Sequence, residues 1–246
     1  MDRLIYTALS GMQASMDRQR AIASNMANSN TVGFRAELVE QRAMTIEGHP
    51  NEARAMQISR VTGADMSGGS IIETGRELDI AIATESLMAV QASDGNEAYT
   101  RRGDLSLSAT GLLVTGDGHP VLGDTGPITV PPGGRISISE NGTVTRTDPQ
   151  APDQPPAEVG RIKLASWEGS PIAKGLDGLF RVEGGGILPT DEEARVMTGS
   201  LEQSNVKPTE VLVAMIEEQR LFAMRSKLVS TARQLDETGA QLMRLT

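Results

Sequence analysis

Apolar residues recur at helical spacing through the last forty positions of the chain. Leu212, Met215, Leu221, Phe222, Leu228, Val229, Leu235, Leu242 and Met243 fall three, four or seven apart. With Ala214, Met224 and Ala232 they cover well over a third of a helix circumference, and Arg220, Lys227, Gln234, Glu237 and Arg244 occupy the remaining arc. Pro208 fits the first turn, where its missing N–H donor costs nothing. A helix of about 36 residues is roughly 55 Å long, too long to be covered by a compact core built from the rest of the chain. Its apolar arc needs a further partner.

A second helical pattern spans residues 2–28. Ile5, Met12, Gln19 and Met26 lie seven apart, with Ala8, Ser15 and Ile22 as the companion series. Small residues at this seam permit close backbone approach, while the polar Gln19 weakens the case for an autonomous dimer. Taken alone, the segment also fits an ordinary core helix. Taken with an equally periodic C-terminus, it predicts a paired helical stalk used in assembly.

Between the helices the pattern changes. Ala27-Asn28-Ser29-Asn30-Thr31-Val32-Gly33-Phe34-Arg35 reads as a helix terminus and a sharp exit turn, because Asn and Gly tolerate left-handed backbone geometry. Phe34 anchors that turn. Residues 34–75 show no sustained periodicity and are read as an extended connector with short strands. From Leu78 the period is two: Leu78 to Ile82, Leu87 to Gln91, Tyr99 to Arg102, Leu105 to Leu107, Leu112 to Thr115 and Ile136 to Ile138 are predicted strands. Glu140-Asn141-Gly142 is a hairpin signal before Thr143 to Arg146. The 26 glycines and 12 prolines supply turns, and the Pro-rich run 148–158 is a surface crossing. The predicted fold is mainly β with long terminal α-helices, its central domain an antiparallel barrel-like or sandwich structure. The boundaries are 1–33 for the first helix, 34–75 for the connector, 76–195 for the β-rich domain, 196–207 for a return connector and 208–246 for the second helix.

Composition narrows the function. A net charge of −9 gives little electrostatic support for nucleic-acid or anionic-membrane binding. Without cysteine there are no disulfides and no thiolate chemistry, and no eighteen-residue apolar run predicts a membrane span. The N-terminus lacks the pattern of a cleaved secretory signal. His49 and His119 are the only histidines and sit in no catalytic or zinc arrangement. Asp124-Thr125-Gly126 looks like the active-site turn of aspartic proteases. Their chemistry needs two such carboxylates, however, and a hairpin turn explains the tripeptide. Gly184-Gly185-Gly186 lacks the Lys-Ser/Thr of a phosphate loop, and Asp191, Glu192 and Glu193 lack calcium-loop spacing. Arg101-Arg102 is read as a local basic pair, and Trp167 as a core or contact residue.

Several of these stretches together carry a resemblance. The opening residues Met1 to Met12, the run Ala27 to Arg35, Leu78-Asp79-Ile80-Ala81-Ile82, Tyr99-Thr100-Arg101-Arg102-Gly103, Gly111 to Thr115, and Gly199 to Val206 before Met215 to Arg220 stand in the order found in bacterial flagellar rod and hook axial proteins. The opening is most similar to the proximal-rod F-type members. Arg35 stands where lysine is common, and Glu85-Ser86-Leu87-Met88 replaces an aromatic segment. The resemblance implies a non-enzymatic structural subunit of the basal-body rod, with distal-rod or hook-type components as the alternative. It implies helical polymerisation through the terminal helices and a periplasmic shaft that carries motor torque to the hook. It also implies export through the flagellar type III apparatus without a cleaved signal. Partners would be copies of itself and other rod proteins, with no cofactor, metal or small-molecule substrate. Assembly contacts are then expected at Ile5, Met12, Ile22, Met26, Leu221, Leu228, Leu235 and Leu242, and the chain exit at Ala27, Asn28, Asn30, Thr31, Gly33 and Phe34.

Overall fold

The computed structural model describes residues 2–46, 54–148 and 154–244, without the side chains of 2–6, 41–46, 54–62, 236 and 239–244. Expectations placed on the side chains of Ile5, His49 and Leu242 lie outside the described residues. The chain divides into two compact units. One comprises Met1–Ser29, Glu37–Gly63 and Val206–Thr246; the other comprises Asn30–Ala36 and Ala64–Asn205.

The first unit holds both helices, α1 (Asp2–Ala27) and α2 (Pro208–Arg244). They pack side by side and antiparallel, since Gly11 meets Arg225 while Arg18, further along α1, meets the earlier Glu218. No helix among the described residues is long and apolar enough to cross a membrane. Strands Glu37–Ile46 and Arg54–Ala64 pair into a two-stranded sheet. These strands are longer than the short segments expected between residues 34 and 75. Mutual pairing satisfies their backbone N–H and C=O groups without demanding a hydrophobic alternation that the sequence lacks. The first strand is fastened to the end of α1: Ser24 Oγ donates to Glu37 Oε1 at 2.9 Å, and the Asn25 amide bonds both Glu37 N–H (2.8 Å) and Glu37 C=O (3.1 Å).

The second unit is built of short strands, and every pairing whose register is described is antiparallel. A five-stranded sheet runs in the order Leu164–Ser166, Ser86–Gln91, Glu97–Thr100, Phe180–Val182, Ile172–Lys174. Strands Arg135–Ile138, Thr143–Thr147 and Ala157–Arg161 form a three-stranded sheet, its last strand reaching back into the predicted Pro-rich crossing. Two ladders join Ile80–Ile82 to Val196–Thr198 and Ile71–Glu73 to Ser200–Glu202. All these sheets are open-edged rather than closed on themselves.

Strand Ser86–Gln91 is buried on both faces. Met88 and Val90 enter the main core with Ile80, Leu105, Leu113, Val121 and Ile162. Leu87 and Ala89 enter a second core with Tyr99, Phe180 and Leu188, against which Trp167 packs half-buried. Leu87 and Met88 thus fill two different cores, and the flexible thioether adapts to the larger one.

Candidate assembly site

In the first unit, the face of α2 toward α1 follows a strict alternation of four and three. Val211, Met215, Glu218, Phe222, Arg225, Val229 and Ala232 are buried or half-buried in turn. The facing residues of α1 are small: Gly11, Ala14, Ser15 and Ala21 are buried, with Ile22 at 8 % exposure closing the seam. Such a surface lets the helix backbones approach closely, and it leaves room for a polar layer. Arg225 Nη1 donates to Gly11 O at 2.7 Å and to Ser15 Oγ. Glu218, 2 % exposed, lies between Arg18 (3.6 Å) and Arg225 (4.0 Å). Polar groups at core positions of a helix pair fix register, because sliding by a turn would strand each of them against apolar atoms.

Beside this seam α2 carries a second apolar row. Leu221, Leu228 and Leu235, seven apart, are 38 %, 59 % and 59 % exposed, and Val213, Ile216 and Met224 are exposed with them. On α1, Leu9 and Met16 are exposed in the same way, while Met12 and Met26 are half-buried. The expected contact residues therefore divide. Ile22 is covered by its own chain, Met12 and Met26 flank the seam, and the three leucines of α2 face solvent in a single chain.

In the second unit, the run that leaves α1 meets the run that leads to α2. Asn28, still in the first unit, ends α1 by donating from Nδ2 to Ser24 O at 2.9 Å, and Ala27 and Asn30 are exposed. Thr31 O accepts the Phe34 N–H, Gly33 turns the chain at φ 66°, and its N–H donates to Glu202 O at 2.8 Å. Lys174 Nζ sits 3.4 Å above the Phe34 ring and donates to Arg35 O. Phe34 is thus held by a cation over its face.

At the centre lies Glu202, 3 % exposed. Its Oε1 accepts from Arg35 Nη2 at 2.7 Å and from Gly69 N–H at 2.9 Å, and its Oε2 accepts from Arg101 Nε at 2.9 Å. Burial opposes the charge on Glu202, but Arg101 and Arg35 outweigh it and hold the carboxyl below its ordinary pKa. Burial, with Arg35 adding to it, pulls Arg101 below its ordinary value against the attraction of Glu202. Arg101 also donates to the carbonyls of Ile82, Thr84 and Ser86. The neighbouring Asn205 accepts the Ala36 N–H at 2.8 Å and donates to Asp65 O and Ser67 O.

Sequence reading missed three members of this cluster. Arg101 is a buried structural cation rather than half of a surface pair. Glu202 and Asn205 were legible only as parts of a recurring stretch, although an acid and an amide directly before a long helix are a usable signal for partners of Arg35. The catalytic lures resolve as turns. Asp124 and Thr125 are exposed in the hairpin between Leu122–Gly123 and Gly126–Pro127, and Gly184, Gly185 and Gly186 are an exposed bend. Among the described residues no cluster of His, Cys, Asp and Glu is arranged to hold a metal ion.

Comparison with known proteins follows the same segments. Residues 5–35 match the flagella basal body rod protein family, residues 81–146 the flagellar hook protein FlgE/F/G D1 domain, and residues 197–242 the flagellar basal body rod FlgEFG protein C-terminal family. The chain is 40% identical to the flagellar basal-body rod protein FlgF of Salmonella typhimurium over the full length of both. It is 40% identical to FlgF of Escherichia coli, covering 94% of each chain. It is 33% identical to the rod protein FlgG of Bacillus subtilis, covering 100% of this chain and 99% of that one. Full-length identity at this level, with all three family segments in order, means that the chain belongs to the flagellar basal-body rod proteins and, among them, to the FlgF type.

Proposed function

We propose that this structural rod subunit, which is not an enzyme, polymerises helically through its terminal helices, and that the polymer is the periplasmic shaft transmitting motor torque to the hook. The observation that carries the reading is the row Leu221, Leu228 and Leu235, apolar, seven apart and exposed in the single chain. A repeat of this spacing fits the groove of another helix. Each large side chain so buried contributes roughly 1.5 to 3 kcal/mol before association entropy is subtracted. Many such contacts resist torque together although none is catalytic.

In this reading residues 1–33 and 208–246 form the inner assembly domain, 34–75 and 196–207 are connectors, and 76–195 is the β-rich domain. Ile5, Met12, Met26 and Leu242 complete the contacts to neighbouring copies and other rod proteins, with Ile22 bracing the helix pair behind them. Assembly is head-to-tail and open-ended, so it requires a starting base and a terminating partner. Family membership supports delivery through the flagellar type III export apparatus without a cleaved signal, and the 40% identity to FlgF favours this position over a distal-rod or hook-type role.

The test is Leu228→Asp, expressed in place of the native chain, with basal bodies isolated and probed for it. A charge buried without a partner in an inter-subunit groove blocks incorporation. Rods that incorporate the variant normally would remove Leu228 from the interface and the proposal with it.

A further inference from the structure

The chain passes between its two compact units four times, after Ser29, Ala36, Gly63 and Asn205. In the second unit these crossings belong to three segments, residues 30–36, 64–69 and 202–205, and all three are bonded to one another. Asp65 N–H donates to Ala36 O at 2.7 Å, and Asn205 ties the first segment to the second with the two ends of its side-chain amide, Oδ1 accepting from Ala36 N–H and Nδ2 donating to Asp65 O. Glu202 does the same through Arg35 and Gly69. The second and third segments also touch without slack: a Cβ on Gly69 would lie 1.9 Å from Gln203 O.

We infer that the three segments form one cooperative clamp that gathers all four crossings, so that force arriving along any of them is shared by the others. The purpose assigned to the clamp rests on the rod reading; its existence rests on its bonds. Cooperativity follows from the charges. Glu202 is shared by two buried guanidiniums, and withdrawing it while either stays buried leaves a cation without its partner. A lone hydrogen-bonded ladder would peel one bond at a time. Here the segments separate together or not at all.

Amide hydrogen exchange on the isolated full chain tests this, whatever the rod assay shows. In Asn205→Ala and in Glu202→Gln, the amides of Gly33, Ala36, Asp65 and Gly69 should all lose protection by a common factor, roughly ten- to a hundredfold. The core amides of Val121 and Ile128, bonded to Leu113 O and Val121 O, should keep theirs. Loss confined to Ala36 in the first variant and to Gly69 in the second overturns the clamp. If Glu202→Gln loosens the whole unit, Asn205→Asp decides. It keeps an acceptor for Ala36 N–H but sets a carboxylate oxygen against the carbonyls of Asp65 and Ser67, so in a clamp protection also falls at Gly33, an amide that Asn205 does not bond. Full protection there would show independent bonds.

Discussion

Arg35 Nη2 and Glu202 Oε1 meet at 2.7 Å across 167 residues of sequence, both side chains withdrawn from solvent. The pair joins the residue that ends the exit from α1 to the strand that precedes α2, and Arg101 shares the same carboxylate. Removing the anion leaves two buried cations. Glu202→Ala is therefore expected to destabilise the second unit by about 3–5 kcal/mol, as for other broken buried pairs. Urea unfolding followed by Trp167 fluorescence measures it, and a loss below about 1 kcal/mol would mean that water already screens the cluster.

Arg35→Lys should behave differently. Among the described residues, Arg35 Nε and Nη1 are buried without a hydrogen-bond partner, although Nη2 is well placed. A lysine ammonium retains the charge opposite Glu202 and removes the surplus donors. The substitution is expected to change stability by less than about 1 kcal/mol in either direction. A loss as large as that of Glu202→Ala would show that the planar fork, rather than the charge, is what the site requires.

Acid should loosen the same cluster. The Glu202 carboxyl is held below its ordinary value of 4.5, so it takes up protons less readily folded than unfolded. Its contribution is fully present above the unfolded value, falls as pH drops below about 4.5, and is lost below the lowered folded value. Asp177, lowered by its hydrogen bond from Arg181, acts in the same direction, so the comparison must be with a variant. The gap in melting temperature between the native chain and Glu202→Gln should narrow on acidification from pH 5. A constant gap would assign the acid sensitivity elsewhere.

Two adjacent glycines provide a steric control. A Cβ on Gly68 would lie 3.6 Å from Glu202 Oε1, an ordinary contact, whereas one on Gly69 would lie 1.9 Å from Gln203 O. Gly68→Ala is expected to be neutral or to stabilise by about 0.4–1 kcal/mol through the unfolded state. Gly69→Ala must push apart two backbones. Equal melting temperatures for the two variants would contradict the close approach.

What the sequence made legible follows from the range of each interaction. The helices were readable because their period is local, and Ser86–Gln91 was readable because an apolar run bounded by turns is local too. Strands Glu37–Ile46 and Arg54–Ala64 were readable only as short extended segments, and their length and pairing were not, since they are stabilised by each other's backbone and need no side-chain rhythm. The pattern identified the helical ends as sticky but could not say which apolar row faces the chain's own partner. In α2 the inward row contains Glu218 and Arg225, whereas the leucines lie outside it. Hydrophobicity alone would have reversed the two.

That reversal gives a direct contrast between Ile22 and Leu228. Ile22 is 8 % exposed in the α1–α2 seam, and Ile22→Ala is expected to destabilise the isolated chain by about 2–5 kcal/mol through lost burial and the cavity left behind. Leu228 is 59 % exposed, and Leu228→Ala should leave the isolated chain within about 0.5 kcal/mol of native. Thermal unfolding by far-UV circular dichroism separates the two. Recovery of each variant in isolated basal bodies should then show the opposite order once subunit levels are matched: Leu228→Ala weakens incorporation despite a stable fold, because its cost falls on the contact between subunits. If Leu228→Ala instead destabilised the isolated chain as much as Ile22→Ala, the leucine row would be part of the subunit's own core, and another surface would have to hold the rod together.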